Sequence, residues 1–315
     1  MVTIIRTPIP IQVPPSATSP SSTPPIPLSP PPLLLQPPSV LLQGASGAGK
    51  TSSIVTLLAT GIEVFVIGTE PGFVDSLIDR VRELKLDINK LHWATVLPAT
   101  DGWDALDDMT QKIGSLDFEG ISKIKGIGKE KTRVPAMKFL IALKDFHDER
   151  TNTTFGSFTT WDDSRALVVD SLSGLSVIAW YLTVGNKPTG APGEWNIAMN
   201  YIEALLMKIN SDRRCYFVLT AHIEKEMDEI SGVLRVMTST LGRKLAPKIP
   251  RFFGEVVYAV RSIDDKGIPT FTWSTVDRTA DLKNRVLPVG NKLAPDFRAV
   301  IDGHEKRKRL AAGGA

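Results

Sequence analysis

A glycine-rich segment that ends in lysine and threonine is the part of the sequence best suited to chemistry. Its residues, with the serine that follows, are Gly44, Ala45, Ser46, Gly47, Ala48, Gly49, Lys50, Thr51 and Ser52. Glycines let backbone N–H groups point inward around phosphate oxygens, the lysine adds a cation for the outer phosphates, and the threonine hydroxyl is a ligand for Mg²⁺. The pattern predicts a phosphate loop that binds a nucleotide with Mg²⁺. ATP is preferred to GTP because residues 291–294, Asn-Lys-Leu-Ala, lack the acid of a guanine-reading motif.

A second metal ligand is predicted at Asp170. This carboxylate follows the apolar run Ala-Leu-Val-Val at residues 166–169, which is typical of a buried strand. Residues at the carboxyl end of a strand face the ligand crevice in open α/β sheets, so Asp170 is expected to bind Mg²⁺ together with Thr51. Capping of the following helix is an alternative role for Asp170, and the two roles are compatible.

Hydrolysis also needs a group that orients the attacking water, and Glu70 is the candidate. It follows the predicted strand at residues 63–68, in the sequence Gly-Thr-Glu-Pro-Gly. A carboxylate in this position could accept a proton from water. The alternative is a glutamate on a surface turn before Pro71.

These side chains need a sheet that brings several strand ends together. Apolar runs predict strands near residues 40–42, 63–68, 91–97, 166–169, 216–220, 253–263 and 270–275. Helical spacing of apolar residues is found at 51–59, 73–86, 103–113, 135–147, 172–183 and 195–211. Alternating strands and helices indicate an α/β fold with a mainly parallel sheet covered by helices on both faces.

The sequence divides into three regions by composition. Residues 1–38 contain 13 of the 23 prolines and a single charged side chain, Arg6. Because proline removes backbone donors, this arm is predicted to be disordered or polyproline-like, either as a passive tether or as a docking site for another protein. Residues 39–300 are predicted to form the ATPase domain, and residues 301–315 a basic, flexible tail.

The composition is typical of a globular protein, with 315 residues, 42% hydrophobic and 23% charged, and a net charge of +3. Cys215 is the single cysteine, which excludes an intrachain disulfide. No apolar run approaches the ~20 residues that span a bilayer, and the N-terminus lacks the pattern of a secretory signal. A cytoplasmic location without a membrane partner is therefore expected.

The order of these motifs over residues 39–297 resembles the RecA-like recombinase ATPases. The resemblance depends on the phosphate loop, on Glu70 and the segment 73–91, and on Val-Val-Asp-Ser-Leu at residues 168–172. It implies a RecA-like P-loop NTPase core in which Glu70 is the catalytic glutamate. It also implies that His222, at the end of Val-Leu-Thr-Ala-His, is the polar sensor of the γ-phosphate, where the family often has glutamine or asparagine.

Lys283 and Arg285 resemble the basic pair that reaches the ATP of a neighbouring subunit in the RecA filament. Such cations can stabilise the charge that develops on the γ-phosphate. The resemblance therefore implies a catalytic role for both residues in an assembled protein. A basic pair on the surface is the alternative.

More narrowly, residues 165–175 and the aromatic-rich segment 155–161 resemble phage-encoded ATP-binding proteins of the single-strand-annealing recombinase type. This resemblance implies binding of single-stranded DNA and assembly into a homo-oligomer, either a ring or a filament. It also implies work beside a single-strand-binding protein. For a phage-encoded protein, the expected location is the cytoplasm of the bacterial host.

The best candidate for a DNA-binding surface is the stretch 230–254, which follows the predicted strand of His222. It contains no acid and five cations: Arg235, Arg243, Lys244, Lys248 and Arg251. These charges would attract a phosphate backbone with salt-dependent affinity, and a solvated loop is the alternative. Phe252 and Phe253 could stack on bases, but a place in the core at the start of the next strand is favoured.

Together these features predict an ATP-dependent recombinase or annealing protein that binds single-stranded DNA and couples ATP hydrolysis to its oligomeric and DNA-binding state. One alternative is a RecA-fold motor or loader of the helicase type. Another is a nucleotide-switched scaffolding protein without DNA binding. Annealing as opposed to unwinding separates the first two, and turnover that DNA does not stimulate would favour the third.

Overall fold

The computed structural model describes residues 35–99, 102–123, 129–185, 187, 190–227, 232 and 234–313. They belong to one structural unit, Leu35–Ala315. The predicted arm falls outside the described residues up to position 34, so its disorder stays a prediction. No helix of the described residues is long and apolar enough to cross a membrane.

A seven-stranded sheet forms the centre of the fold. In chain order, the strands of this sheet and of two small ones are β1 (Ser39–Gly44), β2 (Glu63–Gly68), β3 (Leu91–Thr95), β4 (His147–Asp148), β5 (Thr153–Thr154), β6 (Arg165–Asp170), β7 (Tyr216–Ala221), β8 (Ile223–Met227), β9 (Leu234–Thr238), β10 (Glu255–Ile263) and β11 (Pro269–Ser274). The central order is β11-β10-β1-β7-β6-β2-β3, in which β11 alone is antiparallel to its neighbour. Two further antiparallel pairs, β4–β5 and β8–β9, lie outside this sheet.

Helices cover both faces of the sheet. They are α1 (Lys50–Ile54), α2 (Phe73–Glu83), α3 (Trp103–Ser115), α4 (Phe118–Ser122), α5 (Lys129–Lys144), α6 (Leu172–Val184), α7 (Pro192–Asp212), α8 (Gly242–Leu245) and α9 (Arg298–Ala311), with 3₁₀ turns at Val55–Thr60, Ile88–Lys90, Phe158–Thr160 and Ala246–Phe252. Side chains of α5, α6 and α7 pack on one face, and those of α1, α2 and α9 on the other. The predicted α/β fold with a mainly parallel sheet is confirmed.

The core is built from alternate side chains of the central strands. Along β2, Phe65 and Ile67 face the layer of α5, α6 and α7, whereas Val64 and Val66 face the opposite layer. All four side chains are fully buried. A strand covered on both faces reads as a continuous apolar run, which is why the sequence pattern located these strands.

The parallel strands bring their carboxyl ends to one edge of the sheet. The phosphate loop follows β1, Glu70 follows β2, Asp170 ends β6 and His222 follows β7. Because β7 lies between β1 and β6, the loop and Asp170 face each other across a single strand. The sheet order thus places all four groups around one crevice.

The chain is held in place where it enters β1. The buried guanidinium of Arg213 donates hydrogen bonds to the carbonyls of Pro37 and Cys215. The carbonyl of Pro38 accepts a hydrogen bond from the backbone N–H of Phe217. Burial lowers the pKa of Arg213 to about 10. Residues 37 and 38, which the sequence assigned to the arm, are thus bound to the folded core.

Residues 301–311 are helical, which corrects the expectation of a flexible tail for that part of 301–315. α9 buries Val300 and His304 on one side. The His304 ring packs against Tyr216 with a centroid distance of 5.7 Å. Lys308 pairs with Asp163 at 2.6 Å. Two buried residues four positions apart give one packed helix face. The spacing was not recognised in the sequence because the segment is rich in cations.

Where the structure describes it, the stretch after His222 forms regular elements, whereas the sequence analysis left a solvated loop as an alternative. It forms the hairpin β8–β9, then α8 and the 3₁₀ turn Ala246–Phe252. Leu241, Leu245 and Ile249 are buried at a spacing of four residues. This apolar face fixes the segment to the domain, so residues 242–252 are part of the packed fold.

Candidate active site

Glycines shape the loop between β1 and α1. Gly47 and Gly49 have φ angles of 72° and 79°, in the left-handed region that only glycine adopts without strain. At Gly44, a Cβ would lie 2.6 Å from the carbonyl oxygen of Ala259. The backbone itself therefore requires the three glycines of the motif.

Lys50 lies across this loop. Its Nζ donates hydrogen bonds of 2.9 Å to the carbonyls of Gly44 and Ala45, and lies 3.5 Å from Nδ1 of His222. Burial lowers the pKa of the ammonium group, against the attraction of Asp170 and Glu70. An ammonium held over a phosphate-binding loop is placed to receive phosphate oxygens.

Thr51 and Asp170 meet beside the lysine. The Thr51 hydroxyl donates a 2.8 Å hydrogen bond to Oδ2 of Asp170, and the hydroxyl of Thr220 donates to Oδ1. Burial raises the pKa of Asp170. A hydroxyl and a carboxylate are oxygen donors of the kind that Mg²⁺ prefers, so this pair fits a magnesium site.

Glu70 and His222 form a second polar pair in the crevice. Nε2 of His222 lies 3.2 Å from Oε2 of Glu70, and the hydroxyl of Ser171 donates to Oε1. The hydrogen bond with His222 holds the pKa of Glu70 below its ordinary value. Because its pKa is lowered, the Glu70 carboxylate is ionised near neutral pH. Because it is partly exposed, it is also accessible to water.

The partners of His222 define its tautomer. The ammonium of Lys50 can only donate, so Nδ1 of His222 must be the acceptor of that contact. The carboxylate of Glu70 can only accept, so Nε2 carries the proton. His222 thus connects Lys50 to Glu70.

A backbone junction between β2 and β6 supports the Glu70 turn. The Thr69 hydroxyl donates to the carbonyl of Ser171 at 2.7 Å and accepts from its N–H at 2.9 Å. The N–H of Thr69 donates to the carbonyl of Asp170 at 2.7 Å. These bonds fix the spacing between Glu70 and Asp170.

Ser171 and Thr220 contact the two carboxylates but were not identified from the sequence. Ser171, rather than Asp170, caps α6, since its hydroxyl accepts from the N–H of Ser173 at 3.1 Å. The alternative role of Asp170 as the cap of this helix is therefore wrong. For Thr220 a signal existed, because a polar residue within the buried strand β7 needs a hydrogen-bonding partner.

A cavity of about 410 Å³ opens beside α1. Its lining residues are Gly49, Ser52, Ser53, Arg80, Glu83, Phe271 and Pro295. It adjoins the loop and combines an aromatic ring with polar groups, as small-molecule sites do. Its place next to Ser52 suits the nucleoside part of a nucleotide whose phosphates lie in the loop.

Carboxylates compensate part of the predicted DNA-binding surface. Lys248 and Arg251 both contact Glu203 of α7, at 2.5 and 2.6 Å. Arg235 lies on β9 directly opposite Glu226 of β8. Lys244 is exposed on α8. The side chain of Arg243 is outside the described residues. The expectation of an acid-free surface is thus corrected, because acids from other elements lie beside the cations.

Of the two phenylalanines in that stretch, Phe253 is a core residue. It is 1% exposed and stacks on Phe217 with a centroid distance of 5.7 Å. Phe252 is partly buried against the same core, with the Arg251 guanidinium 4.9 Å from its ring centroid. The interpretation of Phe253 as part of the core is confirmed.

Lys283 and Arg285 lie away from the phosphate loop of the same chain. Lys283 pairs with Val256 near the amino end of β10, about 10 Å along the strand from the level of Gly44. Its Nζ donates a 2.7 Å hydrogen bond to the carbonyl of Phe253. Arg285 is exposed. Within this chain neither cation joins the group around Lys50.

The sequence matches no protein-family model and no curated protein. Among solved structures, the chain resembles the crystal structure of the RadB recombinase, with 12% sequence identity and a TM-score of 0.33. The match covers 79% of this chain and 92% of that chain. The chemistry assigned below is therefore taken from the geometry of the site.

Proposed function

We propose that the protein is a Mg²⁺-dependent ATPase of RecA-like type. The observation that supports this most directly is the convergence of Lys50, the Thr51–Asp170 pair and the Glu70–His222 pair at the carboxyl ends of parallel strands. Lys50 is suited to bind phosphates, and the Thr51–Asp170 pair is suited to bind magnesium. The Glu70–His222 pair can orient water. The nucleoside would occupy the cavity beside Ser52.

In this mechanism the loop N–H groups of residues 44–52 and Lys50 bind the phosphates of ATP. Thr51 and Asp170 would hold Mg²⁺, which supplies neutralisation of charge on the β- and γ-phosphates. Glu70 orients a water molecule and accepts its proton, while His222 contacts the γ-phosphate and Glu70. Loss of the γ-phosphate would return His222 to its contact with Lys50.

We further propose that nucleotide state is coupled to binding of single-stranded DNA through the hairpin β8–β9. The hairpin follows His222 directly, and the N–H of Ser239 donates to the His222 carbonyl at 2.8 Å. Thr238 also donates a 2.8 Å hydrogen bond to the buried Gln43, the residue before the phosphate loop. The DNA contacts proposed are Arg235, Arg243, Lys244, Lys248 and Arg251. Recombination or annealing as a homo-oligomer, beside a single-strand-binding protein, is the biological role that this proposal implies.

The test is the ATPase rate with and without single-stranded DNA, at two salt concentrations, with Lys50→Ala as the control. Stimulation by DNA that fades at higher salt and is absent from the variant is the expected result. Turnover that requires Lys50 but is not stimulated by DNA would support a nucleotide-switched scaffold. The ion pairs of Glu203 favour this alternative, because they neutralise two of the cations proposed to bind DNA. ATP-driven unwinding in place of annealing would indicate a motor.

A further inference from the structure

A cation on the strand next to β1 lies against the phosphate loop. β10 pairs with β1 as far as Gly44, which is opposite Ala259, and then continues to Ile263. The last residues of β10 therefore run beside the loop. Arg261 is two positions beyond Ala259, so both side chains leave the same face of the sheet.

Two side chains of β10 and β11 approach the two left-handed glycines of the loop. Nη1 of Arg261 is 3.5 Å from the position that a Cβ on Gly47 would occupy. Phe271, which pairs with Arg261 across β10 and β11, has Cδ1 3.2 Å from the equivalent position on Gly49. The β10–β11 ribbon thus places one guanidinium and one aromatic ring on the loop, and the ring also lines the nucleoside cavity.

Arg261 has no protein partner in the part of the chain that the structure describes. Its side chain is exposed, and no hydrogen bond, ion pair or ring contact joins it to another described residue. Lys248 and Arg251, by contrast, are held by Glu203. A guanidinium has five donors in a planar fork that matches phosphate oxygens. An unpaired guanidinium beside the phosphate loop is suited to bind the same phosphate groups as the loop.

We propose that Arg261 binds the outer phosphates of the nucleotide and makes the site selective for di- and triphosphates over monophosphates. This inference rests on the nucleotide binding proposed above. Gly47 lies in the half of the loop that precedes Lys50, the residue type that reaches the β- and γ-phosphates. The cavity for the nucleoside is lined by Gly49 and Ser52 but not by Gly47 or Arg261. The single phosphate of AMP would therefore stay beyond the reach of Arg261.

The test is equilibrium binding of ATP, ADP and AMP, each with Mg²⁺, to the wild-type protein and four variants. Arg261→Gln removes the charge, and Arg261→Lys keeps it without the fork. Arg214→Gln is the matched control, because it removes an exposed arginine just before β7, at the opposite end of the sheet. Lys50→Ala tests whether nucleotide binding depends on the phosphate loop.

Loss of charge-assisted hydrogen bonds predicts about 10- to 100-fold weaker binding of ATP and ADP by Arg261→Gln. AMP affinity should not change, Arg261→Lys should be intermediate, and Arg214→Gln should match the wild type. Because Arg261 is exposed, the thermal unfolding curve of Arg261→Gln should also match the wild type, which separates weak binding from misfolding.

Wild-type ATP affinity in Arg261→Gln would overturn the proposal and leave nucleotide binding intact. An equal loss of affinity for AMP would overturn the assignment to the outer phosphates. A wild-type protein that binds none of the three nucleotides would instead refute the ATPase function, and the role of Arg261 with it.

Discussion

At the scale of single residues, the site places two carboxylates in opposite electrostatic surroundings. Asp170 is enclosed, and burial raises its pKa, so a nearby cation is needed to keep it ionised. Glu70 is partly exposed, and its pKa is lowered chiefly by the hydrogen bond with His222. The first setting suits a metal ligand, and the second suits a base that is ionised at neutral pH.

The pH dependence of turnover should therefore report on His222. Activity requires ionised Glu70, so a lowered pKa extends activity toward acid pH. His222→Ala removes the largest cause of that lowering, the pKa of Glu70 rises, and the acid limb of kcat against pH should move to higher pH. His222→Gln retains a side-chain donor and should keep the limb near its wild-type position. The measurement is kcat at saturating ATP from pH 4 upward, and identical acid limbs in His222→Ala and wild type would remove His222 from the control of Glu70.

At the scale of elements, the close approach of α6 to the Glu70 turn determines the geometry of the site. A Cβ on Gly174 would lie 2.2 Å from the carbonyl oxygen of Thr69. This oxygen belongs to the backbone and cannot rotate away. The first turn of α6 and the end of β2 can therefore approach only through a glycine.

Gly174→Ala should push the Glu70 turn away from β6. We expect a loss of about 1–3 kcal/mol of folding stability, as for other overpacked cores, and a larger fractional loss in kcat than in ATP affinity. Gly193→Ala in α7 is the matched control, because a Cβ there meets no atom within 4 Å. Urea unfolding and ATPase assays of both variants measure these effects. Equal stability and turnover in the two variants would show that the contact at Gly174 does not position Glu70.

The shared carboxylate of Glu203 gives a separate prediction for the basic elements. Glu203→Gln releases Lys248 and Arg251 from their ion pairs. If these cations contact DNA, single-stranded DNA should bind about 2- to 10-fold more tightly at low salt, with a steeper dependence on salt concentration. Fluorescence anisotropy with a labelled oligonucleotide measures both quantities. Unchanged affinity and slope would place the DNA contacts elsewhere.

The elements that the sequence predicted well are those whose residues are buried on both faces. β2, β6 and β7 read as apolar runs, and their ends located Glu70, Asp170 and His222. The hairpin β8–β9 was missed because β8 is mostly exposed and shows no clear apolar alternation. α5 begins at Lys129, six residues before the predicted start at Pro135, since tertiary packing of residues such as Thr132 extends the helix past the proline.

Contacts between segments that are far apart in the chain could not be predicted from local sequence patterns. Glu203 lies 45 residues from Lys248 in the chain, and Thr220 lies 50 residues from Asp170. Motif spacing gives the residue types that a phosphate site needs, but the ion pairs that neutralise a surface depend on the relative placement of helices. The loop residues were therefore located from the sequence, whereas the compensation of the basic surface was not.

At the scale of the whole molecule, one subunit contains the phosphate loop and the Lys283–Arg285 pair at different levels of the sheet. Val256, which pairs with Lys283, is three residues before Ala259, the partner of Gly44. Any contact of these cations with ATP must then involve the site of a neighbouring copy. Arg285 is the better probe of this role, because it is exposed, whereas the Lys283 ammonium is bound to the Phe253 carbonyl.

Mixing two inactive variants tests this arrangement directly. Lys50→Ala lacks a working loop but keeps the cations, and Arg285→Gln keeps its loop but lacks one cation. If Arg285 acts on a neighbour's ATP, Arg285→Gln alone should lose about 10- to 1,000-fold in kcat, and an equimolar mixture should recover part of the wild-type rate. Recovery arises because a Lys50→Ala subunit supplies its arginine to the intact loop of an Arg285→Gln subunit. The wild-type specific activity should also fall on dilution below the assembly concentration. A specific activity independent of concentration, together with no recovery in the mixture, would show that each subunit hydrolyses ATP alone and that Lys283 and Arg285 are surface residues.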